Sequence, residues 1–460
     1  MWPDLNLSPR FLVSLHSLVV VTGLAIYVAV SHTLRQRRHP SASIAWVVTI
    51  ALLPYVGLPF YLLFGTRKLV RREYGTPRAT GVADTEKEWP QRLAAAMDLA
   101  PAASYRSLRI HENGGQALRA LWEQIDAAAH TLDLCTYVLG RDPMADALCD
   151  KLARKARGGV RVRLLIDGVG RLLARPNLKA LSAAGVQLAI FVPPLHSPLR
   201  GRLNLRNHRK MVIADGSWLW CGGRNLTAQY FEGAPGVTPW KDLSFDLHGA
   251  VAGRALECFE RDWNFATGVP GVKEAAPPEA ASGSMAQLIP SGPDQCDDTL
   301  YALLVMACFK ARERIVAVTP YFVPGDSLLM GLTLAARRNV EVNLIMPARS
   351  NHRLADLARP RALRELAGAG AKVWLLPEMI HAKAVVIDSS IALAGSANLD
   401  GRSLLLNYEL MVAFYDGEDV RRFAGWMERQ MQGASRYTPR LPGLAQDLAE
   451  GIVLWLTFQL

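Results

Sequence analysis

Residues 207–226 read NHRKMVIADGSWLWCGGRNL, and residues 380–399 read IHAKAVVIDSSIALAGSANL. Both stretches carry a histidine, a lysine two residues on and an aspartate five residues beyond that lysine. These are His208, Lys210 and Asp215 in the first copy and His381, Lys383 and Asp388 in the second. Each then passes through apolar residues into a small-residue turn ending in asparagine: Gly222, Gly223, Arg224 and Asn225 match Gly395, Ser396, Ala397 and Asn398. One histidine on an apolar strand is ordinarily a packed core residue. Two copies 173 residues apart, with the same downstream spacing, are hard to obtain by core packing and point to a duplicated site.

The repetition extends outward. HTLDLCTYVL followed by ALCDKLARKARGGVRVRLLID matches ERIVAVTPYF followed by LLMGLTLAARRNVEVNLIMP, and both read as strand, amphipathic helix, strand. LKALSAAGVQLAIF (178–191) matches LRELAGAGAKVWLL (363–376), and DLSFDLHGAVAGRALECFERDW (242–263) matches ELMVAFYDGEDVRRFAGWMERQ (409–430). Alternating strands and helices in two copies predict an α/β fold of two units, each a sheet flanked by helices. The expected boundaries are 106–263 and 297–435, with linkers at 73–105 and at 264–296, where GVPGVKEAAPPEAASGS is too rich in Pro, Gly and Ala for a regular element. An insertion around PPLHSPLRGRLN is the main departure from the repeat.

On a strand, side chains at i and i+2 share a face, so each motif presents an imidazole and an ammonium together. Two imidazoles facing one site can divide a displacement at phosphorus, one attacking while the other protonates the leaving oxygen. Lys210 and Lys383 would neutralise non-bridging oxygens, and the turns with Gly222, Gly223, Asn225, Gly395, Ser396 and Asn398 would approach and bind the phosphate. Asp242 and Glu409, equivalent in the repeat, are candidates to hold the imidazoles in the right tautomer, or are ordinary surface charges. Arg402 and Ser403 either touch phosphate or shape the turn, and Arg224 either binds phosphate or pairs with a neighbouring acid. No metal-ligand spacing occurs, so no metal or other cofactor is expected. The six cysteines are scattered and read as reduced, mostly buried thiols.

Phe11–Val30 and residues 41–65 are free of Lys, Arg, Asp and Glu, and each is long enough to cross a ~30 Å hydrocarbon layer as a helix. Residues 1–72 are therefore expected to form a two-span anchor, although Pro54, Gly57 and Pro59 could kink the second span or make it re-entrant. Arg35, Arg37 and Arg38 lie between the spans while Arg67, Lys68, Arg71 and Arg72 follow them, which leaves orientation weakly marked. The tail, 436–460, is too short to span and would lie in the interface or on the core. Lys and Arg exceed Asp and Glu, 52 against 41, a surplus that favours anionic partners without choosing between phospholipid and nucleic acid.

The duplicated H-x-K-x4-D with its trailing G-G/S-x-N resembles the phospholipase D superfamily over about residues 106–430. The resemblance implies a bilobed fold with the site on a pseudo-twofold axis and a phosphohistidine intermediate. WKDLSFDLHG, TPYFVPGDSLL, HAKAVVIDSSIALAGSANLDGRSLLLNYE and a double span ending in YLLFGTRK are similar to the bacterial cardiolipin synthases within it. That similarity implies inner-membrane attachment, a cytoplasmic catalytic part, phosphatidylglycerol and other anionic phospholipids as partners, and no nucleic acid. The implied reaction moves a phosphatidyl group from one phosphatidylglycerol to a histidine, releasing glycerol, and then to a second phosphatidylglycerol. By analogy with duplicated relatives, His208 is the nucleophile and His381 the acid/base. The same motif serves a phospholipase D that uses water, a transferase using phosphatidylethanolamine, or a nuclease, so the acceptor rests on resemblance outside it.

Overall fold

In the computed structural model, the residues described are 9–33, 40–65, 67–69, 89–193, 203–233, 236, 238–269, 283–444, 447, 448, 450 and 451. Both repeats lay down their strands in one order. Outward from the centre the first runs Ala103–His111, Ser244–Gly249, Trp218–Gly222, Met211–Ala214, Thr131–Thr136, Arg161–Asp167 and Gln187–Phe191. The second runs Ser284–Ser291, Glu409–Phe414, Ile391–Gly395, Ala384–Ile387, Arg314–Val318, Glu341–Pro347 and Lys372–Leu376, with Ser435–Arg436 at the edge. The two innermost strands pair antiparallel, Ser104 opposite Met285, and fuse the units into one 15-stranded sheet.

Helices cover both faces, as the long apolar runs in the strands require. On one face, Ala250–Thr267 and Gly417–Met431 build a core shared by both units, in which Phe245, Phe414 and Phe423 stack. On the other, each unit closes its own core, under Gly114–Ala127 and Pro143–Arg157 in the first and under Thr299–Lys310, Asp326–Arg337 and Arg353–Gly368 in the second. Four of the six cysteines are buried and all are free.

The expected linker at 264–296 is corrected at both ends. Ala250–Thr267 runs into it, and Ser284–Ser291 is a central strand, bonded to Glu409–Phe414 on one side and Ala103–His111 on the other. Residues 270–282 of that linker, 73–88 of the first, 194–202 of the insertion and 452–460 of the tail lie outside the described residues. The first linker does hold one short helix, Trp89–Ala96, and the tail meets the second unit through a Glu450–Arg364 ion pair at 2.5 Å.

The second span is also corrected. α1 (Pro9–Thr33) contains an apolar stretch, Ser14–Ser31, long enough to cross a membrane. The next apolar segment is instead two helices, α2 (Pro40–Leu52) and α3 (Pro54–Phe64). Pro54 lacks the N–H that would continue α2 and disfavours helical geometry at Leu53, whose φ and ψ are −132° and 60°. The chain folds back so tightly that a Cβ on Gly57 would lie 2.8 Å from the Thr49 carbonyl oxygen. Tyr61 packs its ring on Tyr27 at 5.2 Å and on Trp46 at 5.3 Å, so α1, α2 and α3 form a three-helix cluster. At 1.5 Å per residue α2 and α3 are about 20 and 17 Å long, and neither matches a ~30 Å hydrocarbon layer.

The motif aspartates do not join the histidines. Asp215 sits beyond the far end of Met211–Ala214 with φ +48°, and accepts from the N–H groups of Ala129, His130 and Thr131 at 2.7–2.9 Å. Asp388, φ +52°, accepts from Arg312, Glu313 and Arg314 N–H groups at 2.9–3.0 Å. Seven residues of mostly extended chain, at about 3.3 Å each, put roughly 20 Å between each aspartate and its histidine. Partial burial pushes the Asp215 pKa up, but the three N–H donors outweigh it and hold the carboxyl below its usual range. The motif groups both residues with the catalytic candidates, but each clamps the turn that enters the neighbouring strand, away from its histidine. Asp215→Ala and Asp388→Ala should each lower stability by about 1–3 kcal/mol, read as a lower thermal midpoint in detergent, with turnover of the folded fraction within about twofold of the parent. Turnover lost from protein with an unchanged midpoint would return these aspartates to the chemistry.

Candidate active site

His208 and His381 each precede a short strand, Met211–Ala214 and Ala384–Ile387, that runs antiparallel to Thr131–Thr136 in the first unit and to Arg314–Val318 in the second. The alternation of the strands therefore delivers both motifs to the same kind of sheet edge. There the two units clasp. His208 N donates to the Tyr408 carbonyl and Tyr408 N to that of Arg206, both at 2.9 Å; His381 N donates to the Lys241 carbonyl at 2.6 Å and Lys241 N to that of Met379 at 2.9 Å. These backbone bonds bring each histidine next to the acid of the opposite repeat.

The result is a crossed pairing. His208 Nδ1 bonds Glu409 at 2.9 and 3.0 Å, and His381 Nδ1 bonds Asp242 Oδ2 at 2.8 Å. An ionised carboxylate only accepts, so a proton on His208 Nδ1 faces Glu409 and leaves Nε2 its lone pair, while His381 Nδ1 is approached both by Asp242 and, at 2.6 Å, by Lys383 Nζ. Glu409 is itself held by Ser396 Oγ at 2.5 Å and Asn407 Nδ2 at 3.3 Å, and Asp242 by Leu243 N at 2.7 Å. Burial pushes Asp242 up, and the His381 bond with the nearby cations brings it below the usual carboxylate range. Both acids are fully buried, so neither is a surface charge.

Lys210 and Lys383 complete the cluster. Lys210 Nζ donates to the His208 carbonyl at 2.7 Å, and Lys383 Nζ lies 2.9 Å from His381 Nε2 and donates to the His381 carbonyl. Burial brings Lys210 down to about 8, opposed by Glu409 and Asp242, and Lys383 down to about 7, opposed by Asp242. Burial also takes His208 to about 4, against the pull of Glu409, and His381 to about 3, with Lys383 adding to the fall and Asp242 opposing it. Aromatic walls hold the imidazoles: Tyr137 is edge-on to His208 at 5.2 Å, and Tyr230, Trp240 and Tyr321 lie 5.1, 5.7 and 6.4 Å from His381.

The turn residues are placed differently from expectation. A Cβ on Gly222 or Gly395 would fall 2.3 or 2.1 Å from the carbonyl oxygen of Leu243 or Leu410, and one on Gly223 would fall 2.2 Å from Asp242 Oδ1. These glycines clear the way for the strand that carries the acid. Ser396, which replaces the second glycine, serves Glu409 directly. Asn225 accepts from Val138 N at 3.3 Å and donates to Tyr230 Oη at 2.9 Å, and Asn398 donates to Ser403 Oγ at 3.0 Å, so their amides shape the loops bordering the site. Arg224 is buried and donates to Ser244 Oγ and to the carbonyls of Tyr230 and Asp242, pairing with neither phosphate-facing space nor an acid side chain among the described residues. Arg402 donates to the Asn204 carbonyl at 2.9 Å, and Asp400 caps the turn that holds Ser403, accepting from Ser403 N at 2.7 Å.

Sequence reasoning passed over Arg209. It lies between His208 and Lys210 in NHRK and turns to the opposite face, where it is fully buried between Asp262 at 2.5 Å and Asp294 at 2.9 Å, over the Tyr408 ring. Its equivalent is Ala382, and that break in an otherwise kept repeat was the available signal. Asp167 was also missed; it accepts from Asn207 N at 2.9 Å and pairs with Arg206 at 3.3 Å, fixing the chain before His208.

The family described as "Cardiolipin synthase, PLD-like domain" matches residues 121–263 and again 305–431, and "Phospholipase_D-nuclease N-terminal" matches 23–65. Cardiolipin synthase A of Pseudomonas aeruginosa is 30% identical over 445 residues, covering 92% of this chain and 91% of that protein. Cardiolipin synthase 2 of Bacillus anthracis is 30% identical over 411 residues, covering 84% and 80%, and cardiolipin synthase A of Klebsiella pneumoniae is 31% identical over 443, covering 88% and 89%. The crystal structure of a phosphatidylserine synthase from Haemophilus influenzae superposes with a TM-score of 0.59 over 80% of this chain and 96% of that one, at 12% identity, a likeness of fold. Together with the apolar α1, these relatives make the chain membrane-associated. The two matched domains cover over half of the sequence, and the identity runs through anchor and catalytic units alike: the chain belongs to the cardiolipin synthase family of the phospholipase D superfamily.

Proposed function

We propose that the chain joins two phosphatidylglycerol molecules into cardiolipin and glycerol through a phosphohistidine. The observation that carries this reading is the crossed pair of imidazoles, each on a carboxylate from the other unit, beside two buried lysines. In the first step, the negative charge of the bound phosphodiester draws a proton from solvent onto His381; His208 Nε2 bonds to phosphorus as the phosphorus–oxygen bond to glycerol breaks, and His381 gives that oxygen the proton. In the second, the free headgroup hydroxyl of another phosphatidylglycerol attacks phosphorus, the nitrogen–phosphorus bond breaks, and His381 takes the hydroxyl proton back. His208 suits the nucleophile because its side chain keeps 13% exposure against 5% for His381, whose Nδ1 and Nε2 lie 2.6 and 2.9 Å from Lys383 Nζ. Lys210 and Lys383 offset the charge building on the non-bridging oxygens.

The anchor supports one crossing by α1 with α2 and α3 re-entering from the catalytic side. In that arrangement Arg35, Arg37 and Arg38, between α1 and α2, fall on the same side as Arg67 and Lys68 after α3. All five then agree on a cytoplasmic catalytic part, which two full crossings would not allow.

Purified protein given phosphatidylglycerol in chelator should yield cardiolipin and an equal amount of glycerol by mass spectrometry, and His208→Ala or His381→Ala should each abolish turnover. Phosphatidic acid as sole product would make water the acceptor and overturn the synthase reading; cardiolipin formed only with added phosphatidylethanolamine would change the lipid pair.

The pKa pattern sets a pH profile. His208, lowered to about 4, keeps its nucleophilic lone pair down to about pH 5, and His381, lowered to about 3, must take up a proton to act as the acid, so kcat/KM should rise as pH falls from neutrality toward about 5. Lys383 and Lys210, lowered to about 7 and 8, lose their protons as pH rises through that range, so kcat/KM should fall between about pH 7 and 8. A profile flat to pH 9 would exclude the lysines as the phosphate-neutralising groups.

With the exposed Cys296 replaced by serine, cysteines at Arg10 and at Gly443 should be labelled by an impermeant maleimide from opposite sides of sealed vesicles. Labelling of both from one side would restore two full crossings.

A further inference from the structure

Two short apolar faces flank the site at equivalent places in the repeat. The strand Arg161–Asp167 runs into the helix Gly168–Ala174, where Leu172 and Leu173 are 57% and 71% exposed. Its counterpart, Glu341–Pro347, leads to the helix Arg353–Gly368, whose first turns leave Leu354 and Leu357 46% and 55% exposed. None of these four leucines belongs to a hydrophobic core cluster among the described residues. Exposed Arg171 and Arg175 flank the first and exposed Arg349 and Arg353 the second.

Both faces belong to the rim of the site. Asp167 caps the first helix, accepting from Val169 N at 2.8 Å, and the same carboxylate accepts from Asn207 N, next to His208. Before the second helix, Asn351 accepts from Tyr321 Oη at 2.6 Å, and the Tyr321 ring stands 6.4 Å from that of His381. The membrane anchor ends at this rim as well. Leu203 N donates to the Leu63 carbonyl at 3.2 Å and Asn204 Nδ2 to that of Phe64 at 3.0 Å, while Arg402 holds Asn204 from the second unit. The end of α3 is therefore fixed beside the chain that leads into His208.

We propose that Leu172 and Leu173 on one side of the catalytic mouth, and Leu354 and Leu357 on the other, insert into the interfacial layer of the same bilayer that holds α1, with their flanking arginines on anionic headgroups. Continuity with the anchor selects a lipid surface as the occupant. Leucine flanked by arginine at an aromatic-walled opening matches the layering of an interface, with apolar side chains among acyl chains and guanidinium groups at phosphate depth. The placement also meets a demand of the chemistry. A diacyl lipid that reaches Lys210 and Lys383 with its phosphate must keep its chains out of water, and a mouth lying on the bilayer lets it do so. The proposal rests on the phospholipid-transfer reading for that last point and on the exposed leucines and the anchor contact for the rest.

The test uses the full chain reconstituted in phosphatidylglycerol-containing vesicles, with Cys296 replaced by serine and an environment-sensitive fluorophore on single cysteines at Leu173, Leu357 and, as control, Ala127, which is exposed at the opposite end of the strands beside the turn clamped by Asp215. Brominated lipids should quench the probes at 173 and 357 severalfold more than the probe at 127. Equal quenching at all three positions, or quenching at one of the two leucine sites alone, overturns the two-sided docking. Cross-linking of 173 between copies without lipid quenching would give the face to a second copy and overturn it too. Because quenching is read without turnover, quenched probes on a protein that makes no cardiolipin would keep the docking surface and reject the catalytic reading. As a second arm, Leu172→Asp with Leu173→Asp should lower the rate on vesicle substrate about tenfold or more at an unchanged thermal midpoint; an unchanged rate would count against docking.

Discussion

The crossed histidine–carboxylate pairs are the constraint on which the remainder of the structure depends. Two lysines, two carboxylates and two imidazoles are taken out of water at one point, and desolvation on that scale is tolerated only when charges balance and hydrogen bonds are complete. With both lysines protonated, both carboxylates ionised and the imidazoles neutral, the formal charges balance two against two. Since each imidazole takes its carboxylate from the other repeat, neither unit holds a finished site by itself. The fused sheet, the shared core around Phe245 and Phe414, and the bonds between 206–208 and 408 and between 379–381 and 241 all serve to keep that register.

A balanced cluster also bears on the proposed mechanism. An incoming phosphodiester adds one negative charge to a site that was neutral, and the cheapest response in a low-dielectric interior is to take up a proton on an imidazole. His381, depressed by burial and by Lys383, is the group with most to gain, and Lys383 stands 2.9 Å from its Nε2. Substrate charge would thus create the general acid that the first step needs. The acid exists only when there is a leaving group to protonate, which limits idle chemistry with water.

Much of this was legible in the sequence, because a duplication reports on itself. The α/β class, the two units, the histidine–lysine pairs and the equivalence of Asp242 and Glu409 all follow from matched spacing. What could not be read there was long-range or purely steric. Which acid serves which histidine is decided across 139 and 201 residues by how the units close. The motif aspartates recur because two equivalent turns need the same clamp, so recurrence marked a backbone geometry there and the proposed chemistry at the histidines. The glycines recur because a strand passes within contact of their missing Cβ atoms. Ser284–Ser291 was mistaken for linker because its composition borders a Pro- and Gly-rich run, whereas its place at the centre of the sheet follows from matching Ala103–His111.

The anchor is joined to the chemistry by more than chain connectivity. Arg67 and Lys68, directly after α3, pair with Asp298 at 2.6 and 3.0 Å, and Lys68 also donates to the Gly292 carbonyl at 2.9 Å. The segment they hold, 292–298, carries Asp294, and Asp294 closes on Arg209, the residue between His208 and Lys210. A buried arginine that lost one of its two carboxylates would be left partly uncompensated, at a cost larger than that of a surface pair. The membrane-proximal cations therefore stabilise the segment that stabilises the backbone of the first motif. Arg209 has no counterpart in the second motif, where Ala382 stands, and the asymmetry matches the topology: a single anchor can brace one motif only, and it braces the one that carries the proposed nucleophile.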